Sequence, residues 1–172
     1  MQIKEDIQLD VAEVGEKILG RWADIRRHTR SVIIEKKLSK PLGASFEKHR
    51  EIVLDNLRTL VKEGATQYGF PEELGGQRNP GGSLSSFEEL VFADPSLQIK
   101  FGVQWGLFGS AILYLGTDYH HKKFLPGAVN LDTPGAFAMT ETGHGSDVAS
   151  IGTLATYDPA TKEFVIHTPD RH

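Results

Sequence analysis

The 172-residue chain carries 19 lysines and arginines against 23 aspartates and glutamates, a formal net charge of −4. Because it has an acidic balance and no long basic block, nucleic acid is not an expected partner. No apolar run approaches the roughly 20 residues that span a bilayer. Cysteine is absent, which excludes disulfides, thiolate metal ligands and a thiol nucleophile.

Two amphipathic helices are predicted within the first 64 residues. Asp10 is a suitable N-cap, with Glu13 as its capping-box partner. Apolar residues at three- and four-residue spacing then form one stripe: Val11, Val14, Ile18, Trp22 and Ile25. Such a stripe opposite polar residues is typical of a helix packed on a core. The second helix follows the N-cap Ser45, and Gly64 is placed as its C′ residue.

A short basic run, residues 26–30 (Arg-Arg-His-Thr-Arg), lies near the end of the first helical pattern. A run of this length can mark a nucleic-acid patch. No aromatic residue interleaves with it, and the chain is acidic overall. We therefore interpret it as a solvated helix face.

The middle of the chain is predicted to be a loop followed by two helices. Residues 68–82 are dense in glycine and proline and indicate a packed loop. Ser85 and Glu88 form a second capping-box pattern, which predicts a short helix starting there. Asp94 and Pro95 are a favourable N-cap and first helical residue. The next segment, 97–115, is apolar nearly all round, as expected of a central helix.

The hydrophobic period changes from Gly135 onward. A short helix is predicted from Asp118 to Phe124, ended by Pro126. Residues 136–139 form a short apolar run, typical of a buried strand. Residues 153–157 and 163–167 alternate in polarity around an Asp158-Pro159 turn and predict a β-hairpin. We therefore predict a mainly α chain, with a helical domain over 1–131 and the first strands of an incomplete β-domain over 132–172.

The segment Phe137–Asp147, here called the motif loop, holds the strongest functional pattern. Its sequence is Phe-Ala-Met-Thr-Glu-Thr-Gly-His-Gly-Ser-Asp. Gly143 and Gly145 allow positive φ and close approach of backbone N–H groups to a ligand. Thr140 and Ser146 add hydroxyl donors. The pattern indicates a cradle for a polar ligand that carries phosphate, although the same glycines also suit an ordinary tight loop.

The motif loop resembles the flavin-binding signature of the acyl-CoA dehydrogenase and acyl-CoA oxidase superfamily. The Thr-Glu-x-Gly-His-Gly-Ser pattern and the hairpin at 155–169 are similar to the oxidase branch. The segments 68–76 and 115–126 resemble further landmarks of the family in the same order. Two positions depart from the oxidase pattern: Thr142 stands where oxidases usually carry leucine, and Asp147 is typical of the dehydrogenases.

The resemblance implies a fold, a reaction and a further domain that would carry the catalytic base. The fold would be the family's N-terminal helical bundle and the opening of its middle β-domain. The reaction would be oxidation of a fatty acyl-CoA to a trans-2-enoyl-CoA on FAD. Electrons would then go to oxygen in an oxidase or to an electron-transfer flavoprotein in a dehydrogenase. The catalytic glutamate is expected beyond His172, in a C-terminal helical domain, so this chain alone is expected to be inactive.

The resemblance also assigns roles to residues of the motif loop. Cofactor-binding roles fall on Phe137, Ala138, Met139, Thr140, Gly145 and Ser146. Ser146 would also lie at the acyl-CoA entrance, and Glu141 would be structural. A strand-end hydroxyl bonded to its own backbone remains the alternative for Thr140, and a turn-capping serine the alternative for Ser146.

Histidines and apolar residues outside these roles have simpler interpretations. His144 is expected to be a packing or hydrogen-bonding residue, with a proton shuttle as the alternative. The pair His120-His121 lacks a third ligand at metal spacing, so we predict no metal site. Phe101, Trp105 and Phe108 could border an acyl chain but also suit an ordinary core.

The expected partners follow from the same resemblance. They are fatty acyl-CoA and, at full length, further copies in a homodimer or larger homo-oligomer. The location would be cytoplasmic in a bacterium and peroxisomal in a eukaryote. The alternative function is a stand-alone helical module that binds acyl-CoA or a protein without redox chemistry.

Overall fold

The computed structural model describes residues 9–169, which divide into two compact units. The first, the helical unit, runs to Ala136, and the second, the hairpin unit, begins at Phe137. The predicted boundary between 131 and 132 stays a prediction. In the helical unit the α-helices are α1 Val11–Leu19, α2 Ala23–Glu35, α3 Phe46–Lys62, α4 Pro80–Glu89, α5 Pro95–Phe101, α6 Ser110–Leu115 and α7 Asp118–Val129. No helix among the described residues is long and apolar enough to cross a membrane.

Helix α1 begins where the sequence predicts, but its apolar stripe is only partly buried. The Asp10 carboxylate accepts hydrogen bonds from the backbone N–H groups of Ala12 and Glu13. Val11 and Ile18 nevertheless stay about four-fifths exposed, at 81% and 79%. The prediction of one continuous packed stripe is therefore wrong for this helix. The apolar stripe does pack beyond the end of α1, because Trp22 lies directly against Gly81 of α4.

Helix α3 has both predicted ends. The Ser45 hydroxyl accepts a hydrogen bond from the Lys48 N–H. At the other end Gly64 takes φ = +75°. The N–H groups of Gly64 and Ala65 bond back to the carbonyls of Val61 and Leu60. These two bonds are the Schellman pattern, which satisfies the last carbonyls of a helix.

Helix α4 starts six residues earlier than the capping-box pattern predicts. Asn79 is its N-cap, accepting from the Gly82 N–H at 2.9 Å, and Pro80 occupies the first helical turn. Ser85 therefore lies inside the helix, where it is buried. The predicted loop over 79–82 is wrong because an Asn-Pro start is itself a good helix signal. Gly81 and Gly82 let Trp22 and Ile25 approach the backbone closely.

The apolar segment after Asp94 forms a continuous helical path that is only partly buried. Tyr114 and Leu115 are 76% and 85% exposed, and α6 contributes no buried residue, so the prediction of a central helix apolar nearly all round is wrong for its second half. Asp94 caps α5 by accepting from the Ser96 N–H at 2.8 Å, as predicted. Residues Gly102–Gly109 then form a π-helical stretch between α5 and α6. Gln104 within it donates to the carbonyls of Ala128 and Thr133, and its amide oxygen accepts from the Gly135 N–H at 2.7 Å. This buried side chain thereby fixes residues 133–135 to the helix.

Helix α7 continues past the proline that was expected to end it. Pro126 lies inside a helix that ends at Val129. Leu125, Ala128 and Val129 are buried. Burial of this last turn stabilises the helix beyond the proline, which is a tertiary effect that the local sequence does not contain.

One buried cluster holds the helical unit together. Its members come from α2, α3, α5, the π-helical stretch, α7 and the connections between them. They are Val32, Ile33, Leu38, Val53, Leu57, Leu60, Ala65, Phe70, Leu90, Ala93, Leu97, Phe101, Trp105, Leu125 and Val129.

A buried carboxylate joins α2 to α4. Glu89 is 1% exposed and accepts from Arg30 at 2.5 and 3.0 Å and from Arg26 at 3.2 Å. Thr29 and Ser86 share a hydrogen bond of 2.9 Å on the same contact. The basic run does lie at the surface at Arg27, His28 and Arg30, as interpreted. Arg26 and Arg30 in addition pair with the neighbouring helix, with Arg26 only 23% exposed.

The hairpin unit contains two antiparallel strands, β1 Leu154–Asp158 and β2 Glu163–His167. They pair in the register Leu154 with His167 to Asp158 with Glu163, as the alternation predicts. The predicted strand at 136–139 is wrong, because these residues are irregular and exposed. A short apolar run becomes a strand only where a partner strand accepts its hydrogen bonds.

Candidate functional site

The carboxylate of Glu141 fastens the motif loop to the start of β1. It accepts from the backbone N–H groups of Gly152 at 2.8 Å and Thr153 at 3.0 Å, and from the Thr153 hydroxyl at 2.5 Å. His144 Nε2 lies 3.1 Å from the same carboxylate. Hydrogen bonds to the charged form stabilise it. The Thr153 hydroxyl foremost, with the Gly152 N–H and His144, lowers the pKa of Glu141 to about 2.

The turn that follows Glu141 is closed by backbone hydrogen bonds. The N–H of Gly145 donates to the Glu141 carbonyl at 3.0 Å, and Gly145 takes φ = +58°. Gly145 thus uses the conformational freedom predicted for it, whereas Gly143 keeps a negative φ. His144 is held by Glu141, which agrees with its interpretation as a hydrogen-bonding residue.

Ser146 and Asp147 lead out of this turn into a short 3₁₀ segment, Val148–Ser150. The Asp147 carboxylate accepts from the Ser150 hydroxyl at 2.6 Å. Ser146 is exposed, and its carbonyl accepts from the Val148 N–H at 2.9 Å. Its hydroxyl makes no hydrogen bond to any residue between 9 and 169, so the turn-capping alternative is not seen here.

A groove of about 620 Å³ lies within the hairpin unit. Ala138, Met139 and Thr140 from the predicted site line it. Phe137, Gly145 and Ser146 lie outside its lining, so the fold brings together only half of the predicted cofactor residues here. The remaining lining comes from Glu141, Thr142, Ile151, Gly152, Thr153, Ile166, Thr168 and Pro169.

The sequence analysis did not predict that residues of the second strand line this groove. Ile166 and Thr168 stand two apart at the end of β2, and residues two apart share one face of a strand. This alternation was the available signal. The sequence did not show that the motif loop lies opposite these two residues. That placement depends on the hydrogen bonds of Glu141 to Gly152 and Thr153.

The histidine pair of α7 has structural partners. His120 Nδ1 lies 2.9 Å from the Thr117 hydroxyl and caps the helix. His121 Nε2 lies 2.9 Å from the Leu113 carbonyl. Between residues 9 and 169, no group of three or more histidine, aspartate or glutamate side chains is arranged to hold a metal ion.

Comparison with known proteins identifies the family. The family model "Acyl-CoA dehydrogenase, N-terminal domain" matches residues 23–132. The chain belongs to this family. The predicted superfamily and the predicted mainly helical fold are thereby confirmed.

Relatives by sequence include acyl-CoA oxidases. Acyl-coenzyme A oxidase 2, peroxisomal, of Arabidopsis thaliana is 40% identical over 134 residues, covering 77% of this chain and 19% of the relative. An acyl-coenzyme A oxidase of Eremothecium gossypii is 50% identical over 84 residues, covering 47% of this chain and 12% of the relative. The chain thus spans about a fifth of the length of its plant relative.

A solved structure shares the fold. Butyryl-CoA dehydrogenase from Megasphaera elsdenii aligns with a TM-score of 0.62 over 92% of this chain and 39% of that protein. At 21% sequence identity this likeness concerns the fold alone.

Proposed function

We propose that this chain is the N-terminal part of an FAD-dependent acyl-CoA oxidase. The complete enzyme would oxidise a fatty acyl-CoA to a trans-2-enoyl-CoA and pass the electrons to oxygen, giving hydrogen peroxide. The observation that carries the proposal is the Thr-Glu-x-Gly-His-Gly-Ser loop clamped to a hairpin by Glu141, in a chain whose relatives are named oxidases. A dehydrogenase that uses an electron-transfer flavoprotein is the alternative within the family, and Asp147 favours it.

The residues of the hairpin-unit groove suit a flat cofactor with a polar edge. Met139, Ile151 and Ile166 supply apolar surface, and Thr140 and Thr168 supply hydroxyl groups. We infer that Ala138, Met139 and Thr140 would hold the flavin ring, and that FAD would accept the hydride removed from the substrate.

The exposed end of the loop suits the phosphate-bearing part of the ligands. Gly145 would let a phosphate group approach the backbone closely, since a Cβ there would meet no atom within 4 Å. Ser146 presents an exposed hydroxyl, a donor to phosphate oxygens. Phe137, 47% exposed, would add apolar cover to the cofactor. Ser146 would also contact the acyl-CoA.

Glu141 cannot serve as the catalytic base, because four hydrogen bonds already occupy its carboxylate. The family resemblance would place the base beyond His172.

The wider context of the enzyme is also a proposal. We propose the domain division 1–131 and 132–172, with a C-terminal helical domain in the complete protein. Assembly as a homodimer or larger homo-oligomer follows the family resemblance. The peroxisomal names of the plant relatives favour a peroxisomal location if the source is a eukaryote, and a cytoplasmic one if it is a bacterium.

Anaerobic titration of the full-length protein with an acyl-CoA tests the proposed function. We expect yellow protein whose flavin absorbance bleaches on addition of decanoyl-CoA and recovers with stoichiometric hydrogen peroxide when oxygen is admitted. Bleaching without peroxide would assign the dehydrogenase alternative. A protein without flavin that binds decanoyl-CoA in calorimetry would instead support the stand-alone binding module.

A further inference from the structure

The connection between α2 and α3, residues 36–45, exposes apolar side chains to water. Leu42 lies in a turn with Gly43, which takes φ = +75°, and Leu42 is 98% exposed. Phe46, the first residue of α3, is 67% exposed. A single exposed apolar residue is ordinary at a protein surface. Two of them this close together form a small apolar surface that a partner can cover.

The backbone on either side of Leu42 is fixed to the helical unit. Leu38 is 1% exposed, and its N–H donates to the Ile33 carbonyl at 3.0 Å. The N–H of Lys40 donates to the Ala93 carbonyl at 3.1 Å. Ser45 then caps α3. Because these contacts already order the connection, binding through it costs little further conformational entropy.

The same stretch is basic in an acidic chain. Residues 36–50 contain five lysines and arginines and one glutamate, a formal net charge of +4, whereas the whole chain has a net charge of −4. Two of the cations have partners: Lys36 lies 2.9 Å from Glu63, and Lys48 lies 2.9 Å from Glu51. The remaining three cations are therefore the ones that can meet a partner's charge.

These three cations are Lys37, Lys40 and Arg50, and all are exposed. They form no ion pair within the stretch of the chain that the structure describes. The Arg50 guanidinium lies over the ring of Phe46, 4.3 Å from its centroid. Positive charge and apolar surface are thus presented together by one connection and the first turns of α3.

This combination favours a lipid surface over a protein partner. A protein that covered Leu42 would need a concave pocket matched to one protruding side chain. The interface of a bilayer accepts apolar side chains without a preformed pocket, and its anionic head groups attract lysine and arginine.

We propose that the α2–α3 connection docks this protein on an anionic membrane surface. Leu42 and Phe46 enter the boundary between head groups and acyl chains. Lys37, Lys40 and Arg50 contact the phosphate and carboxylate groups of the lipids. The docking is peripheral and reversible, and it requires neither flavin nor any residue of the hairpin unit.

Co-sedimentation of the full-length protein with vesicles tests the proposal. The probes are vesicles of phosphatidylcholine with about 30% phosphatidylserine and vesicles of phosphatidylcholine alone. We expect affinity for the anionic vesicles to be at least about tenfold higher at roughly 0.1 M salt, and to fall at about 1 M salt, where charges are screened within about 3 Å. Absence of binding, or equal binding to the two vesicles, would overturn the proposal.

A soluble head group separates a membrane surface from a free anion. An excess of glycerophosphoserine should leave vesicle binding unchanged, because it offers no apolar boundary to Leu42 and Phe46. Complete competition by this compound would assign a free phosphate compound as the ligand and overturn the proposal.

A matched pair of leucine variants locates the apolar contact. Leu42→Ala removes apolar surface from the tip and should lower vesicle affinity at least about threefold, as expected for partial burial of the side chain. Leu115→Ala is the control, since Leu115 is 85% exposed at the end of α6, and it should bind as the unsubstituted protein does. Equal affinity of the two variants would contradict docking through Leu42.

A matched pair of lysine variants locates the charge. Lys40→Glu should lower affinity at least about fivefold, the factor for one cation near an anionic surface. Lys122→Glu makes the same change of charge at an exposed position of α7 and should have little effect. Equal losses would indicate a response to net charge alone and overturn the proposal. Binding of a single-stranded oligonucleotide that is lost in Lys40→Glu but kept in Leu42→Ala would assign nucleic acid instead.

Discussion

Thr153 gives two hydrogen bonds to Glu141, one from its backbone N–H at 3.0 Å and one from its hydroxyl at 2.5 Å. The two residues stand 12 positions apart in the sequence. The contact therefore holds the motif loop against the start of β1, and does more than stabilise a local turn. The residues proposed to hold FAD lie immediately before Glu141 and shortly after it. Their mutual geometry therefore depends on a carboxylate that would not itself touch the cofactor.

Removal of this carboxylate should loosen the hairpin unit. In Glu141→Ala the N–H groups of Gly152 and Thr153 lose their acceptor, and we expect their amide exchange to accelerate at least about tenfold. Hydrogen-exchange NMR measures this directly. Glu163→Ala, at an exposed carboxylate of β2, is the control and should leave both rates unchanged. Unaltered exchange in Glu141→Ala would show that the clamp does not hold the loop.

The clamp should also weaken in acid. The pKa of Glu141 is lowered to about 2 in the folded chain, below the ordinary glutamate value near 4.3. A lowered folded pKa means that the contribution to stability is complete above the unfolded pKa and is lost as the pH falls from about 4.5 through 2. Carboxyl ¹³C NMR of Glu141 should therefore show a midpoint near 2. A midpoint near 4 would contradict these hydrogen bonds.

Adjacent glutamates of α4 should differ sharply in their effect on stability. Burial raises the pKa of Glu89, but hydrogen bonds from Arg30 and Arg26 outweigh it and lower the pKa overall. Glu89→Gln leaves two arginines without their buried partner and should cost about 3 kcal/mol of unfolding free energy. The side chain of Glu88 also pairs with Arg26 but is 53% exposed. Glu88→Gln should therefore lower the free energy of unfolding by less than about 1 kcal/mol. Urea unfolding of both variants measures the difference, and equal costs would argue against a buried network.

Two glycines of the helical unit should respond to alanine with opposite signs. At Gly81 a Cβ would overlap the ring of Trp22, so Gly81→Ala should destabilise by about 1–3 kcal/mol. At Gly15 a Cβ meets nothing within 4 Å, so Gly15→Ala should stabilise by up to about 1 kcal/mol. Thermal unfolding reports both. A neutral Gly81→Ala would mean that Trp22 does not pack against α4.

Local signals predicted most helix ends, and tertiary contacts explain the errors. The Asp94 and Ser45 caps and the hairpin depend on a few neighbouring residues, and these were predicted correctly. The start of α4 at Asn79 was obscured by two glycines whose purpose is contact with α2. The continuation of α7 past Pro126 and the role of Glu89 depend on partners distant in the sequence.

The motif loop was recognisable from sequence, but its internal organisation was not. Its residues and their order predicted a ligand cradle with positive φ at Gly143 and Gly145. The structure has a positive φ at Gly145, and the cradle itself stays a prediction. The partners of Glu141 lie around residue 153, and no short-range pattern connects them to the loop. The alternation of the second strand placed Ile166 and Thr168 on one face, but nothing in the sequence showed that this face opposes the motif loop.

The flavin content of the purified full-length protein tests most directly whether residues 137–146 form a wall of an FAD site. Ala138 lines the hairpin-unit groove, and Ala138→Trp would fill it. Ala160→Trp, in the exposed turn between β1 and β2, is the matched control. We predict that Ala138→Trp folds but loses most of its FAD, measured as the ratio of flavin to protein absorbance, while Ala160→Trp retains it. Equal flavin content in the two variants would contradict the proposed site.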